Sequence, residues 1–236
     1  MANSHNTSGV NFHPNKLATF QHDDSVFSAE WNTKGTKFAT SSHDGRAVIW
    51  DVKTSERLAT FSHEGGFYKV AWSPNGTRLA GITSGLDDTV LVWNVDSLEE
   101  IAALEHDWAV DSLAWNPMCT CLATMAQNSV HIWDIKERVK LETLQHRTRT
   151  EFIAWNPEGD KLATASSYGI ARIWNPETGE QLKEYKHDEE VYCIQWHPDG
   201  TKLATASEDG TIAVWDVQTG KKLNVFEPDG RPWFIA

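Results

Sequence analysis

Five histidines and three aspartates are the residues of this chain whose spacing could support acid–base chemistry. Each histidine lies nine residues before one tryptophan, and each aspartate lies six residues before another. The set is His22, His63, His106, His146, His187, Asp44, Asp87 and Asp209. With Ser42 and Ser207 as candidate hydroxyls, these are the side-chain types that a Ser-His-Asp hydrolase uses. The same types also form buried hydrogen-bond networks that only stabilise a fold.

The repetition favours the structural interpretation. A catalytic centre requires one such set, whereas here the histidine recurs in five units of the chain. We therefore predict no catalytic residue and expect a protein that is not an enzyme. Cys119 and Cys121 have no further Cys or His nearby at zinc-ligand spacing, and the chain has no phosphate-binding or dinucleotide-binding motif. The sequence predicts neither a metal site nor a cofactor.

Two sets of tryptophans define the repeat that must position these residues. One set is separated by 43, 40, 41 and 41 residues, and consists of Trp50, Trp93, Trp133, Trp174 and Trp215. The other keeps a similar spacing, and consists of Trp31, Trp72, Trp115, Trp155 and Trp196. A period of about 40–45 residues with Asp after the tryptophan is typical of four-stranded propeller blades.

The unit at 187–226 shows the pattern of one repeat. Val191–Trp196 is rich in β-branched and aromatic residues and is predicted to be a strand. Three further predicted strands follow, separated by the Pro- and Gly-containing turns at 198–200, 208–210 and 218–220. The other units repeat this order, so the chain is predicted to be all-β.

In these features the chain resembles WD40-repeat proteins from about residue 15 to its end. The resemblance implies a β-propeller, with antiparallel four-stranded blades around a central axis. Five complete blades are expected, at about 22–61, 63–104, 106–144, 146–185 and 187–226. The segments 15–20 and 231–236 resemble the outer and inner strands of an incomplete sixth blade. Residues 1–14 are expected to form a flexible tail.

The incomplete blade leaves two explanations open. The chain is either a truncated form of a longer propeller, or an open propeller whose gap is filled by strands that a partner donates through edge addition. The number of blades in a full ring is not determined by the sequence.

WD40 blades commonly contain a hydrogen-bond network of His, Ser or Thr, Asp and Trp, and the resemblance implies this role here. The five histidines, the three aspartates and the tryptophans at 50, 93, 133, 174 and 215 occupy the corresponding positions. Gln127 and Tyr168 replace the aspartate in the third and fourth units. We therefore expect blades 1, 2 and 5 to be the most rigid.

The loops that join fourth to first strands and second to third strands form one face of a propeller, called the top face here. These loops are mostly acidic in this chain, with the exception of Arg147 and Arg149. Trp108 is the only tryptophan outside the repeat positions apart from Trp233, and an exposed indole is a frequent binding hot spot. The predicted partner-binding residues are Trp108, Arg147, Arg149, Tyr68, Tyr168 and Tyr192.

Composition restricts the partner and the compartment. The formal net charge of −12 disfavours direct nucleic-acid binding, and no apolar run is long enough to span a membrane. Three cysteines are too few for a secreted disulfide scaffold, so an intracellular location, nuclear or cytoplasmic, is expected. Some phrases, such as the one at 168–174, loosely resemble transducin-β-like co-repressor subunits. The predicted function is a non-catalytic scaffold that binds protein or peptide partners in a multiprotein complex.

Overall fold

The chain folds into five antiparallel sheets in the computed structural model, which describes residues 19–85, 87–230 and 232. Each sheet contains four strands that are hydrogen-bonded in sequence order. The all-β propeller architecture predicted from the repeat is confirmed. The predicted strands at 15–20 and 231–236 and the predicted tail at 1–14 fall mostly or wholly outside the described residues.

The twenty strands of the described part are numbered in chain order. Blade 1 contains β1 (Val26–Trp31), β2 (Lys37–Ser42), β3 (Arg46–Asp51) and β4 (Arg57–Ser62). Blade 2 contains β5 (Phe67–Trp72), β6 (Arg78–Thr83), β7 (Thr89–Asn94) and β8 (Glu100–Glu105). Blade 3 contains β9 (Val110–Trp115), β10 (Cys121–Ala126), β11 (Ser129–Asp134) and β12 (Val139–Gln145).

The last two blades have the same four-stranded arrangement. Blade 4 contains β13 (Thr150–Trp155), β14 (Leu162–Ser166), β15 (Ile170–Trp174) and β16 (Gln181–Lys186). Blade 5 contains β17 (Val191–Trp196), β18 (Lys202–Ser207), β19 (Ile212–Asp216) and β20 (Lys222–Phe226). The first strands of neighbouring blades contact each other, so these strands are the inner ones and line the axis.

The first-strand tryptophans join each blade to the one before it. The indole N–H of Trp115 donates to the carbonyl oxygen of Ala71 at 3.2 Å, and that of Trp155 donates to Ala114 at 3.0 Å. Trp72 and Trp196 repeat the bond to the carbonyls of Glu30 and Ala154. Because these bonds connect inner strands, they fix the relative positions of successive blades.

The fourth strands contribute a second contact between blades. Phe61 of β4 stacks on Trp93 of blade 2, with ring centroids 4.4 Å apart, and Tyr185 of β16 lies 4.9 Å from Trp215 of blade 5. Phe20 contacts Trp50 in the same way, at 5.3 Å, although residues 19 and 20 are not in a strand. The core therefore lies between blades as well as within them.

The outward faces of the first and last described blades expose apolar side chains. Trp31 of β1 is 55% exposed, and Phe226 of β20 is 53% exposed. In the repeat, Trp31 corresponds to the indoles that bond a preceding blade, and Phe226 corresponds to the rings that pack on a following one. These two side chains lack such contacts with the described residues.

Loss of one bond between blades is expected to destabilise the propeller measurably. Trp115→Phe removes a buried indole N–H and leaves the Ala71 carbonyl without this donor. We expect the free energy of unfolding, measured by urea denaturation, to fall by about 1–3 kcal/mol. Trp31→Phe is the matched control, because its indole makes no hydrogen bond with the described residues, and it should change the free energy by less than about 0.5 kcal/mol. Equal effects of the two substitutions would contradict this role for Trp115.

Candidate functional site

Blade 1 contains a complete four-residue network. His22 Nδ1 donates to the Asp44 carboxylate at 2.9 Å, and Nε2 lies 2.7 Å from the Thr40 hydroxyl. The Trp50 indole donates to the same hydroxyl oxygen at 2.8 Å. Because the Thr40 oxygen already accepts the Trp50 N–H, its own O–H is available to donate to Nε2 of His22. The network ties the loop before β1 to β2 and β3.

Blade 5 repeats the network with nearly identical distances. His187 lies 2.9 Å from Asp209 and 2.7 Å from the Thr205 hydroxyl, which accepts the Trp215 indole N–H at 2.8 Å. Burial disfavours the charged carboxylate, but hydrogen bonds from Thr211 and His187 outweigh it and lower the pKa of Asp209 to about 2. Burial lowers the pKa of His187 although Asp209 opposes this shift.

The prediction that Ser42 and Ser207 supply the network hydroxyls is wrong. Ser42 and Ser207 do not contact the histidines; each accepts the backbone N–H of the aspartate two residues later, Asp44 and Asp209. The network hydroxyls lie two residues earlier in β2 and β18, on the same face of the strand, where the indole reaches them. Thr40 and Thr205 are almost completely buried, which makes them unsuitable as nucleophiles for a dissolved substrate.

Blade 2 lacks the hydroxyl and does not form the complete network expected for it. Gly81 occupies the position of the network threonine, and Trp93 instead packs between Phe61 and Phe67. His63 Nε2 lies 2.8 Å from the Asp87 carboxylate, but both side chains are partly exposed. The expectation that blade 2 matches blades 1 and 5 is therefore wrong, because Gly81 offers no acceptor for the indole.

Blade 3 keeps the histidine, threonine and tryptophan without an aspartate. His106 Nε2 lies 2.7 Å from the Thr124 hydroxyl, which accepts the Trp133 indole N–H at 2.9 Å. Its Nδ1 lies 2.9 Å from the Leu104 carbonyl oxygen, which replaces the carboxylate as acceptor. Burial, with a further contribution from the nearby ring of His131, lowers the pKa of His106 to about 4.

In blade 4 the histidine is not bonded to the threonine and tryptophan of the network. The Trp174 indole donates to Thr164, but His146 Nε2 has no hydrogen-bond partner among the described residues. Nδ1 of His146 accepts from Arg172 at 3.4 Å, and Arg172 pairs with Glu184 at 3.1 Å. Burial, followed by the Arg172 charge, lowers the pKa of His146 to about 4.

The top face holds the residues predicted to bind a partner. Trp108, in the loop between β8 and β9, is 58% exposed, and Tyr168, between β14 and β15, is 78% exposed. Tyr68 at the start of β5 is half-exposed, whereas Tyr192 of β17 is only partly accessible. The predicted residues therefore differ in exposure.

The two arginines of the acidic face differ in their ion pairs. Arg149 lies 3.3 Å from Asp111 and 3.8 Å from Glu151, so its charge is largely compensated. Arg147 is exposed and forms no ion pair with the described residues. Both arginines line two open depressions, of about 500 Å³ and about 600 Å³. Arg147 is therefore the arginine of this pair that is free to bind an anionic group.

A third depression, of about 300 Å³, contains residues that the sequence interpretation missed. Phe27 of β1 and Tyr68 of β5 line it, with ring centroids 6.0 Å apart, together with His43, Ala109 and Val110. Phe27 and Tyr68 both lie four residues before a first-strand tryptophan. That shared position at the top of the inner strands was the available signal for Phe27.

The described residues contain no cluster of His, Cys, Asp or Glu that could hold a metal ion. In the same part of the chain, no helix is long and apolar enough to cross a membrane.

The five similar blades, with their recurring hydrogen-bond networks, define a β-propeller that is built from sequence repeats. Residues 14–51 and 179–216 match the family model "WD domain, G-beta repeat". Residues 52–173, about half of the chain, match the model "Eukaryotic translation initiation factor eIF2A". The chain belongs to the WD40-repeat proteins, and its central segment belongs to the family of the initiation-factor model.

The fold is also shared with a solved structure. The crystal structure of the computationally designed Ika8 protein superimposes with a TM-score of 0.78 at 19% identity, over 89% of this chain. The aligned region spans 64% of the designed protein, and at this identity the likeness concerns the fold alone. None of the curated proteins matches the chain significantly.

Removal of a network threonine should destabilise a complete blade more than an incomplete one. Thr205→Val leaves both His187 and Trp215 without their shared partner, whereas Thr164→Val affects only the indole of Trp174. At about 1–3 kcal/mol for each unpaired group, the first substitution should cost about twice as much as the second. Urea denaturation of both variants checks this, and a larger cost at Thr164 would contradict the assignment of the networks.

The buried neutral histidines should make the protein less stable in mild acid. The pKa of His106 and of His146 is about 4, below the ordinary value of about 6.5 for the unfolded chain. Between these values the unfolded state binds more protons, so the free energy of unfolding falls as pH decreases from about 6.5 to about 4. Burial raises the pKa of Glu30 to about 7, so this group increases the free energy of unfolding as pH decreases. Its single contribution is smaller than the combined contribution of the two histidines.

Urea denaturation at about pH 7.5 and about pH 5 measures this dependence. We expect a loss on the order of 1–3 kcal/mol for each histidine before the opposing contribution of Glu30. His146→Gln should reduce the difference between the two pH values, and Glu30→Gln should enlarge it. A pH dependence that is unchanged in His146→Gln would show that this ring does not contribute.

Proposed function

We propose that this protein is a non-catalytic scaffold whose top face binds a peptide or protein segment within an intracellular multiprotein complex. The observation that carries the proposal is the combination of an exposed indole, Trp108, which precedes the depression-lining Ala109, with the unpaired Arg147, which lines two depressions of this face. Tryptophan and arginine are the residue types most enriched at binding hot spots. The histidine networks support the absence of catalysis, because their hydroxyls are buried and already bonded.

Substitutions on the top face should abolish partner capture without unfolding the chain. The test is affinity capture from a cell extract with Trp108→Ala/Arg147→Ala, followed by mass spectrometry. Met118 and Lys136 lie in loops of the opposite face and are also highly exposed, so Met118→Ala/Lys136→Ala is the matched control. We expect the partner to be lost, by about tenfold or more, only with the top-face variant. Equal capture by both variants would exclude this face.

The central family match favours a partner in the translation machinery as a more specific candidate. Residues 52–173 match the model named for an initiation factor, and they contain β4 of blade 1, all of blades 2 and 3 and most of blade 4. The net charge of −12 favours a protein rather than an RNA surface as the contact. Enrichment of initiation factors or ribosomal proteins in the same capture experiment tests this candidate, and their loss after nuclease treatment would contradict direct protein contact.

A second mode of binding is supported by the open faces of blades 1 and 5. Trp31 and Phe226 expose large apolar surfaces at positions that contact a neighbouring blade elsewhere in the propeller. A depression of about 370 Å³, lined by Trp196, Pro198 and Val214, adds to the apolar surface of blade 5. We propose that a β-strand segment covers these faces. Phe226→Asp should reduce capture of such a segment, whereas the exposed Leu141→Asp on β12 should not.

A further inference from the structure

The three depressions of the top face are adjacent, because neighbouring ones share lining residues, and together they are called the top groove here. Ala109 and Asp111 line both the aromatic depression and the central one. The central depression shares the segment 147–149 with the third, which Tyr168 and Glu189 also line. The groove thus runs from blades 1 and 2, past blade 3, to blades 4 and 5. A row of adjacent depressions suits an extended peptide better than a compact small molecule.

We propose that this groove binds a linear peptide segment in which one large apolar side chain is accompanied by a single carboxylate. The proposal rests on the proposed function, since it specifies the chemistry of the segment that the top face binds. The apolar side chain occupies the aromatic depression, and the carboxylate pairs with Arg147. The occupant is a partner protein's segment, identified by these two side chains and their order along the groove.

The aromatic end of the groove provides the apolar subsite. Phe27 and Tyr68 are about half exposed at 49% and 50%, although their rings contact each other. The ring of His43 lies 5.9 Å from Phe27 and extends the same surface. Exposed aromatic rings at the wall of a concavity gain free energy when an apolar side chain displaces water from them. The volume of about 300 Å³ is suited to one such side chain.

The middle of the groove has one guanidinium without an ion pair. The carboxylates of Asp111 and Glu151 both pair with Arg149, so these four groups are neutral together, and Arg147 is left without a counter-ion among the described residues. A guanidinium binds a carboxylate through two parallel hydrogen bonds. A phosphate carries nearly two negative charges, and the nearby Asp111 and Glu151 would repel the second one. The local charge therefore favours a single carboxylate.

The far end of the groove gives the segment a direction. Glu189, Glu190 and Glu208 line it together with Tyr168. Burial, followed by the charges of Glu151 and Glu208, raises the pKa of Glu190, which indicates that negative charge is already crowded there. A second acidic residue of the peptide is therefore unfavourable beyond Arg147, whereas a neutral or basic residue is tolerated. Apolar, acidic, then neutral or basic is the expected order across the groove.

Selection from a displayed library of random linear peptides on the full chain tests this order. The wild type should select peptides with an apolar residue and one Asp or Glu at a constant separation. Arg147→Glu should replace the selected acid with Lys or Arg and keep the apolar residue. Tyr68→Ser should weaken the apolar preference and keep the acid. Lys136→Glu, a charge reversal on the opposite face, should select the same peptides as the wild type.

Fluorescence polarisation with one selected, labelled peptide then measures the interaction between the peptide's acid and Arg147 directly. Replacement of its acid by Gln, and Arg147→Ala in the protein, should each weaken binding about tenfold, and the two changes together should cost no more than one alone. Tighter binding of a phosphoserine version would overturn the assignment of a single carboxylate. Thermal melting of each variant establishes that it is folded.

The outcomes separate this inference from the proposed function. If selected peptides lose binding in Trp108→Ala/Arg147→Ala but show no acid or apolar preference, the inference fails and the top face remains the binding surface. If the selected peptides still bind the top-face variant and no longer bind Met118→Ala/Lys136→Ala, both the inference and the proposed function fail.

Discussion

The bond between an inner-strand indole and the carbonyl of the preceding blade is the interaction on which the rest of this propeller depends. It recurs at the four junctions between described blades, through Trp72, Trp115, Trp155 and Trp196. The walls of the top groove come from all five blades, so no single sheet can form that groove. Its shape is set by the angles between blades, and these bonds hold the inner strands at those angles.

The networks inside the blades add a second, less uniform level of order. In blades 1 and 5 the carboxylate, imidazole, hydroxyl and indole satisfy one another's hydrogen bonds. Blades 3 and 4 lack the carboxylate, and each carries a basic residue beside its histidine, His131 and Arg172 respectively. Burial, followed by these basic neighbours, lowers the pKa of both histidines and favours their neutral form. The loop at 147–149, which supplies the free arginine, follows His146, whose Nε2 is unpaired.

Much of the fold was predictable from the sequence, because the two tryptophan positions recur in every unit and fix the strand register. The first strand of the unit at 187–226 has the predicted bounds, Val191–Trp196, and the first strands of the other units also end at their tryptophans. The site was less predictable. Ser42 was the candidate hydroxyl, but Thr40 lies on the same strand face, and the reach of the Trp50 indole selects Thr40. The effect of Gly81 and the ion pairs of Arg149 depend on contacts between distant segments.

The glycine of blade 2 has a consequence for how this repeat can change. A Cβ at Gly81 would lie 3.0 Å from the Trp93 ring and 3.1 Å from Phe67, so the ring occupies the space where a threonine would be. Trp93 holds this position because it stacks on Phe61 of the neighbouring blade. A mutational path from this packing to the four-residue network is therefore epistatic. A threonine at position 81 could bond the Trp93 indole only after Phe61, on the neighbouring blade, has been replaced. Substitutions in the two blades are therefore coupled.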